Sequence, residues 1–116
     1  MPGMSRKQKK HLQELSDRCY EIEMSEALDR LFDDFKKWKK EEITVWDLSE
    51  RIHQYLNNAA HNLNKFYEVL RNPPNAVARG VSRGKIKMEE IQKDCHPFVK
   101  RFIEYYDSDK KNRTTD

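Results

Sequence analysis

The sequence predicts an all-α protein, built as a long antiparallel helical hairpin with short C-terminal helices packed on it. Among the 116 residues there are only three glycines and four prolines, too few for the many tight turns of an all-β fold. Apolar residues make up 36% and charged residues 37%, a balance typical of helices with one apolar stripe and a charged outer face. Apolar residues also recur at intervals of three and four, which is the spacing of one helix face.

The first predicted helix covers residues 5 to 40. Its apolar residues fall in two stripes at intervals of three and four: Leu12, Leu15, Cys19 and Ile22, then Leu28, Leu31, Phe35 and Trp38. The six-residue step between the stripes leaves two arrangements open, one continuous helix or a break at which Ser25 caps a second helix. No glycine or proline interrupts the run, which favours the continuous helix.

A second long helix follows a turn near residues 40 to 45, and the two form the hairpin. Thr44 is the predicted N-cap, and Asp47, three residues later, forms a short-armed capping box with it. The apolar face of this helix then continues for six turns: Leu48, Ile52, Tyr55, Ala59, Leu63, Phe66 and Leu70. The helix ends before Pro73-Pro74, because a residue that precedes proline is pushed out of the α region.

Shorter helices are predicted after the two prolines. One spans residues 75 to 83, with Asn75 as its N-cap and Gly84 just past its end. Another covers residues 88 to 93, and Pro97 opens the last helix. The last helix carries one apolar face: Phe98, Val99, Phe102, Ile103 and Tyr106.

The predicted organisation is a single helical domain at residues 12 to 106 between two polar ends. Residues 1 to 11 form a flexible basic arm, and residues 107 to 116, which include no apolar residue, form a disordered tail. We expect a cytoplasmic protein without a membrane span, because the chain lacks an apolar run of about 18 residues and a secretory signal. Cys19 and Cys95, the two cysteines, fit the same reducing compartment.

No motif in the sequence indicates catalysis or a metal site. Cys95 and His96 are neighbours in the chain, but adjacent side chains point in different directions and no third member of a triad is identifiable. Glu50 and His53 form one Glu-x-x-His pair, whereas di-iron bundles use two such pairs and two further carboxylates. The glycines of RGVSRGKI do not have the spacing of a phosphate-binding P-loop. We therefore expect no enzyme activity and no cofactor.

Charge patterning gives a candidate site for an anion. The stretch from residue 72 to residue 87 contains no acid, although the chain as a whole has 23 Lys and Arg against 20 Asp and Glu. Its cations and the one just before it are the candidate anion or nucleic-acid contacts: Arg71, Arg79, Arg83, Lys85 and Lys87. Arg79 and Arg83 share a helix face, and the basic arm could add phosphate contacts. The alternative is a solvated connector.

Three stretches, EITVWDLSERIH, AVARGVSRGKI and PFVKRFIEYY, together resemble small uncharacterised bacterial proteins of about 110 to 120 residues. The resemblance covers most of residues 12 to 106 and lies in general pattern, not in a catalytic signature. It implies a bacterial, cytoplasmic, helical protein with no established activity.

These observations favour a noncatalytic interaction or regulatory protein that binds a protein partner through an exposed apolar stripe. The candidate interface residues are aromatic: Phe32, Phe35, Trp38, Phe66 and Tyr67. A two-helix hairpin leaves each apolar stripe half covered, so a homodimer is one expectation and a monomer with ordinary residual apolar surface is the other. The hypothesis from a different class is nucleic-acid binding through residues 71 to 87 and the basic arm.

Overall fold

The computed structural model describes residues 3 to 114, and every regular element among them is helical. The four main helices are α1 (Arg6–Lys39), α2, α3 (Pro73–Ser82) and α4 (His96–Thr114). The first, α-helical part of α2 is Val45–Gln54. Two 3-10 turns, Met88–Glu90 and Lys93–Cys95, stand between α3 and α4 where the sequence predicted one short helix. The all-α prediction is confirmed, since no strand occurs between residues 3 and 114.

Helix α1 is continuous, which decides between the two arrangements that the sequence left open. It ends in a Schellman motif, in which Glu42 donates its N–H to the carbonyl of Lys37 at 2.9 Å and Glu41 donates to Trp38 at 3.0 Å. Glu41 adopts φ +61°, the left-handed conformation that glycine usually supplies at this position. The turn therefore holds an L-residue in a conformation that costs about 1–2 kcal/mol.

The predicted N-cap of α2 is confirmed. The Thr44 hydroxyl accepts the N–H of Asp47 at 3.0 Å, and Asp47 Oδ2 accepts the N–H of Thr44 at 2.9 Å. These bonds satisfy two backbone donors that the start of a helix leaves without a partner. The N–H of Thr44 also stabilises the carboxylate, which lowers the pKa of Asp47 below its ordinary value of 3.8.

Helix α2 continues past Gln54 with wide turns. It passes through π-helical turns at Tyr55–Ala60 and Lys65–Val69, with one α-helical turn, His61–Asn64, between them. A π-helical turn takes more residues than an α-helical turn, so the residue that faces α1 is displaced along the sequence. The predicted apolar face is therefore wrong at its end: Leu70 is 63% exposed, and Tyr67 is buried instead.

Contacts between α1 and α2 confirm the antiparallel hairpin. Asp34 of α1 pairs with Arg51 near the start of α2, with 2.8 Å between carboxylate and guanidinium. Further back along α1, Glu23 accepts a hydrogen bond from the hydroxyl of Tyr67 near the end of α2. The Tyr67 ring also stacks on Tyr20 at 4.7 Å between ring centres. Earlier residues of α1 thus meet later residues of α2.

The described residues form two compact units. We call Tyr20–Leu70 the hairpin unit, and the chain up to Cys19 together with the chain from Arg71 onward the C-terminal unit. The single domain predicted for residues 12 to 106 stays a prediction, since both units share the backbone of α1. Helix α1 begins at Arg6, inside the predicted arm, and α4 continues to Thr114, beyond the predicted start of the tail. A polar segment can extend an existing helix because propagation, unlike nucleation, adds one hydrogen bond per residue.

Helix α3 starts two residues earlier than the sequence predicted. Asn72, not Asn75, is the N-cap, and its side-chain oxygen accepts the N–H of Asn75 at 3.3 Å. Pro73 then occupies the first turn, where its missing N–H costs nothing. Gly84 follows the helix with φ +73°, as its predicted place just past the end requires.

The interior of the C-terminal unit depends on a close approach of α1 to α3. Its largest completely buried side chains are Leu12, Cys19, Val77, Cys95 and Val99. Gly80 of α3 is also buried, and a Cβ added there would lie 2.4 Å from the sulfur of Cys19. The two helices can come this close only because residue 80 has no side chain.

Replacing Gly80 by alanine should therefore lower the free energy of unfolding. Alanine favours a helix interior by about 1 kcal/mol over glycine, but the contact with Cys19 forces a shift, and we expect a net loss of about 1–3 kcal/mol. Urea unfolding followed by circular dichroism measures it. In a Cys19→Ala background the same substitution should be neutral or stabilising. An equal loss of unfolding free energy in both backgrounds would show that the contact with Cys19 is not the cause.

Replacing Glu41 by glycine should stabilise the protein by about 1 kcal/mol, because glycine adopts positive φ without the steric penalty of an L-residue. The matched control is Glu42→Gly, one residue on, where φ is not positive. That change should be neutral or destabilising, since it only adds freedom to the unfolded chain. Thermal unfolding of the three proteins decides, and a loss of stability in Glu41→Gly would show that the end of α1 is not strained.

Candidate functional site

An exposed apolar stripe runs along α1 in the hairpin unit. It consists of Leu28, Phe32 and Phe35, which are 47%, 59% and 38% exposed. Their spacing of four and three residues places them on one face of the helix. The ammonium of Lys36 lies 4.7 Å from the centre of the Phe32 ring and covers only part of it.

The face of α1 that packs on α2 is a different one. It carries Ala27, which is buried, and Leu31, Asp34 and Trp38, which are half-buried. At 100° per residue its centre lies about 100° around the helix from the exposed stripe. The stripe that the sequence predicted, which joined Leu28 and Leu31 with Phe35 and Trp38, is therefore wrong: its members belong to two faces.

The structure separates the five aromatic residues predicted as an interface. Phe32 and Phe35 lie in the exposed stripe, and Trp38 is half-buried with the Lys39 ammonium 4.9 Å from its ring. Phe66 is half-buried and meets Tyr67 edge-on, with 5.0 Å between ring centres. Tyr67 is 5% exposed and belongs to the hairpin interior, so it offers no surface to a partner.

Other exposed apolar residues of the hairpin unit were missed by the sequence reasoning. Leu28 was placed in an apolar stripe but not among the interface residues. Val45, Trp46 and Leu56 were given no role, although they are 51%, 79% and 54% exposed. The available signal was the helical phase of α2. Val45 and Leu56 lie roughly 60–80° from buried Leu48, while Trp46 lies about 160° from it.

The basic residues of the C-terminal unit fall in separate places. Arg71 lines a cleft of about 400 Å³ together with Lys9 and Lys10 of α1, so the cleft joins one predicted anion contact to the basic arm. Lys87 is exposed, and its N–H donates to Glu90 at 2.6 Å, which lowers the pKa of that carboxyl. The acid-free stretch of sequence thus has a carboxylate at one end.

Arg79 and Arg83 lie near aromatic residues of α4. Burial raises the pKa of the Tyr106 hydroxyl, and the positive charges of Arg79 and Arg83 oppose this shift without reversing it. Tyr106 donates a hydrogen bond to Asn75 at 2.6 Å. Both line a cleft of about 460 Å³ with three further residues of α4: Arg101, Phe102 and Tyr105. Lys85, the remaining candidate anion contact, is half-buried.

The residues considered for catalysis lie as follows. Cys95 is completely buried, and burial raises the pKa of its thiol, which disfavours the reactive thiolate. A ring nitrogen of His96 lies 2.9 Å from the carbonyl oxygen of Ile91. Glu50 and His53 are exposed, and among residues 3 to 114 no three His, Cys, Asp or Glu side chains are placed to share a metal ion.

Comparison of the chain with family models, curated proteins and solved structures finds no match. Within the part of the chain that the structure describes, no helix is both long and apolar enough to span a membrane. The resemblance to small bacterial proteins therefore stays a prediction.

Proposed function

We propose that this protein is a noncatalytic interaction or regulatory protein whose exposed stripe on α1 binds an apolar helix face of a protein partner. The observation that supports the proposal most directly is the exposure of Leu28, Phe32 and Phe35 on one helix face. Large apolar side chains that are exposed singly are ordinary, whereas a contiguous row of them is typical of an interaction site. As part of the same proposal, we place the protein in the bacterial cytoplasm.

The distribution of exposed apolar residues also supports the proposal. Among residues 3 to 114, the strongly exposed large apolar side chains all belong to the hairpin unit, except Tyr105. Most of the buried apolar residues belong to the C-terminal unit, while the hairpin unit buries few: Ala27, Leu48 and Tyr67. A partner helix would cover surface that the second helix of the hairpin does not reach.

The size of the stripe sets the strength of binding that it can supply. Full burial of one large apolar side chain contributes about 1.5–3 kcal/mol. The three residues of the stripe are already partly covered, so their further burial contributes only about 3 kcal/mol together. Additional contacts beside the stripe must therefore decide the affinity and the choice of partner.

Nucleic-acid binding is the second candidate, and one tertiary observation favours it. The sequence separates its cations from its aromatic residues, whereas the fold brings Arg79 and Arg83 near Tyr106 and the cleft that Tyr105 lines. Tyr105 is 65% exposed, which leaves a ring face for a base to stack on. Single-stranded nucleic acid is the form that such an arrangement suits, because its bases are accessible to stacking.

The stripe is tested by photo-crosslinking in the full chain, with Phe32 replaced by benzoylphenylalanine. We expect crosslinked products of discrete mass, which mass spectrometry identifies, because the probe stands in the middle of the binding face. The control carries the probe at Lys37, which is exposed and lies about 140° around α1 from Phe32. Discrete products from neither position, or the same products from both, would contradict the proposal.

A structural control accompanies this experiment. Replacement of Phe32 or Phe35 by serine should change the free energy of unfolding by no more than about 0.5 kcal/mol, since both side chains are exposed. Each replacement should remove the crosslinked products from a probe at Leu28. Trp46→Ser, an exposed aromatic on another face, should leave them unchanged.

Nucleic-acid binding is tested by titration of labelled single-stranded DNA and RNA at two salt concentrations. The Arg79→Ala/Arg83→Ala variant should bind more weakly. Its plot of log K against log salt concentration should also be less steep, by about 1.4 in slope or about 0.7 for each lost phosphate contact. Lys36→Ala/Lys37→Ala removes the same charge from the hairpin unit and should keep the wild-type slope. Absence of binding by wild type at low salt would exclude this function.

A further inference from the structure

The charges that border the exposed stripe point to a specific occupant. Glu21 lies seven residues before Leu28, and Lys39 lies seven residues after Phe32. At 100° per residue both fall within about 20° of the line through the stripe, and both are exposed. One helix face thus carries an acid at its start, apolar residues in its middle and a base at its end.

Such a face is complementary to a second copy of itself that runs in the opposite direction. A twofold axis at the level of residue 30 places residues whose numbers add up to 60 opposite each other. Glu21 then faces Lys39 of the second copy, and Lys39 faces the second copy's Glu21. Leu28 lies opposite Phe32. The ring of Phe35 lies opposite Ser25, a small and exposed side chain that leaves room for it.

Helix α2 has an apolar face on the same side of the hairpin. On α2, Val45 and Leu56 are rotated about the helix axis away from the face that packs on α1. On α1, the stripe is rotated in the same sense away from the face that packs on α2. Because the two helices run antiparallel, the same sense of rotation brings both faces to one side of the hairpin. A second hairpin laid on this side would cover both at once.

The level of the axis on α2 follows from the contacts of the hairpin. Asp34 pairs with Arg51. Glu23 bonds to Tyr67 at the other end of the hairpin. Interpolation between these contacts places Leu56 beside residue 30, so the axis passes near Leu56. The Leu56 side chains of the two copies would therefore meet each other.

The angle between the two faces of α1 supports the same arrangement. In a four-helix bundle each helix contacts two neighbours at about a right angle to each other. The exposed stripe lies about 100° from the face that packs on α2. Two hairpins stacked through their stripes would give each helix this pair of neighbours.

We infer that the occupant of the stripe is a second copy of this chain, bound antiparallel through α1 with its twofold axis near Leu56. The inference rests on the proposed function and names its partner. It specifies which residues meet: Glu21 with Lys39, Leu28 with Phe32, and Leu56 with its own counterpart.

Charge reversal tests the orientation. Sedimentation equilibrium of wild type from micromolar to several hundred micromolar concentration should show a monomer–dimer equilibrium. Glu21→Lys and Lys39→Glu should each raise the dimer dissociation constant about tenfold, because each turns two symmetry-related attractions into repulsions. The double variant should return to near the wild-type value, since the pairs are restored with opposite sign.

Two controls make this result specific. Lys37→Glu makes the same charge change on the opposite face of α1 and should leave the dissociation constant unchanged. Lys39→Glu also removes the contact of Lys39 with the Trp38 ring, and the double variant loses that contact as well. If the double variant recovers the wild-type dissociation constant, the effect of the single variant therefore comes from the contact with the second copy. A parallel dimer would show neither the loss nor the recovery, because each residue would face its own counterpart and like charges would meet in wild type and in every variant.

A disulfide test locates the axis. Leu56→Cys should give a covalent dimer on mild oxidation, because a residue near a twofold axis meets its own counterpart. Trp46→Cys, which is exposed but ten residues from Leu56, should stay monomeric, as should wild type, whose cysteines are buried. A covalent dimer from both variants, or from Trp46→Cys alone, would contradict the position of the twofold axis near Leu56.

The outcomes separate this inference from the proposed function. A wild-type protein that is monomeric at several hundred micromolar overturns the dimer. If the probe at Phe32 still gives discrete products with other proteins, the proposed function stands and its partner is a different chain. If the probe gives no discrete product and the protein is monomeric, both fail. Crosslinked products at twice the chain mass, with the charge-reversal pattern above, support both.

Discussion

Two helices can meet only along one line, and this constraint governs the hairpin unit. Each helix of the pair turns one face to the other and leaves its remaining circumference to solvent. Helix α1 has apolar residues on more than one face, because Leu28, Phe32 and Phe35 lie about 100° from the side that packs on α2. The fold of this unit cannot bury both faces, whatever the stability of the contact between its helices.

The C-terminal unit meets the same constraint differently. Several helices and turns surround its apolar residues, and the close approach of Gly80 to Cys19 brings two backbones near enough to exclude solvent. Completely buried residues come from α1, α3, the turn before α4, and α4 itself. An interior built from several elements leaves fewer large apolar side chains exposed than a single helix pair does.

Charged residues at the two ends of the exposed stripe give it a direction. On the face that carries the stripe, Glu21 precedes the apolar residues and Lys39 follows them, so this face is complementary to a reversed copy of itself. Charge pairs at the edge of an interface contribute little affinity, but unfavourable pairs in other orientations give selectivity. The apolar stripe would supply attraction, and Glu21 and Lys39 would select the antiparallel orientation.

Local signals in the sequence determined much of the secondary structure. The absence of glycine and proline gave the continuous α1, and Thr44 with Asp47 gave the start of α2, because a capping box is made by residues only three apart. A glycine is the usual sequence signal for the end of a helix, but α1 has none there. Glu41 takes the left-handed position instead. The N-cap of α3 was misplaced because both Asn72 and Asn75 are suitable caps, and the position of Pro73 in the first turn decides between them.

The sites depended on tertiary structure. Spacing showed that Phe32 and Phe35 belong to a helix with apolar faces, but only the position of α2 decides which face is covered. The π-helical turns of α2 displaced the buried position from the predicted face to Tyr67, an effect that a constant 100° per residue does not contain. The approach of Arg79 and Arg83 to Tyr106 joins residues more than twenty positions apart. The sequence by itself determined most of the helical segments, because caps and turns act over a few residues, whereas the choice of exposed face was decided only when the helices packed.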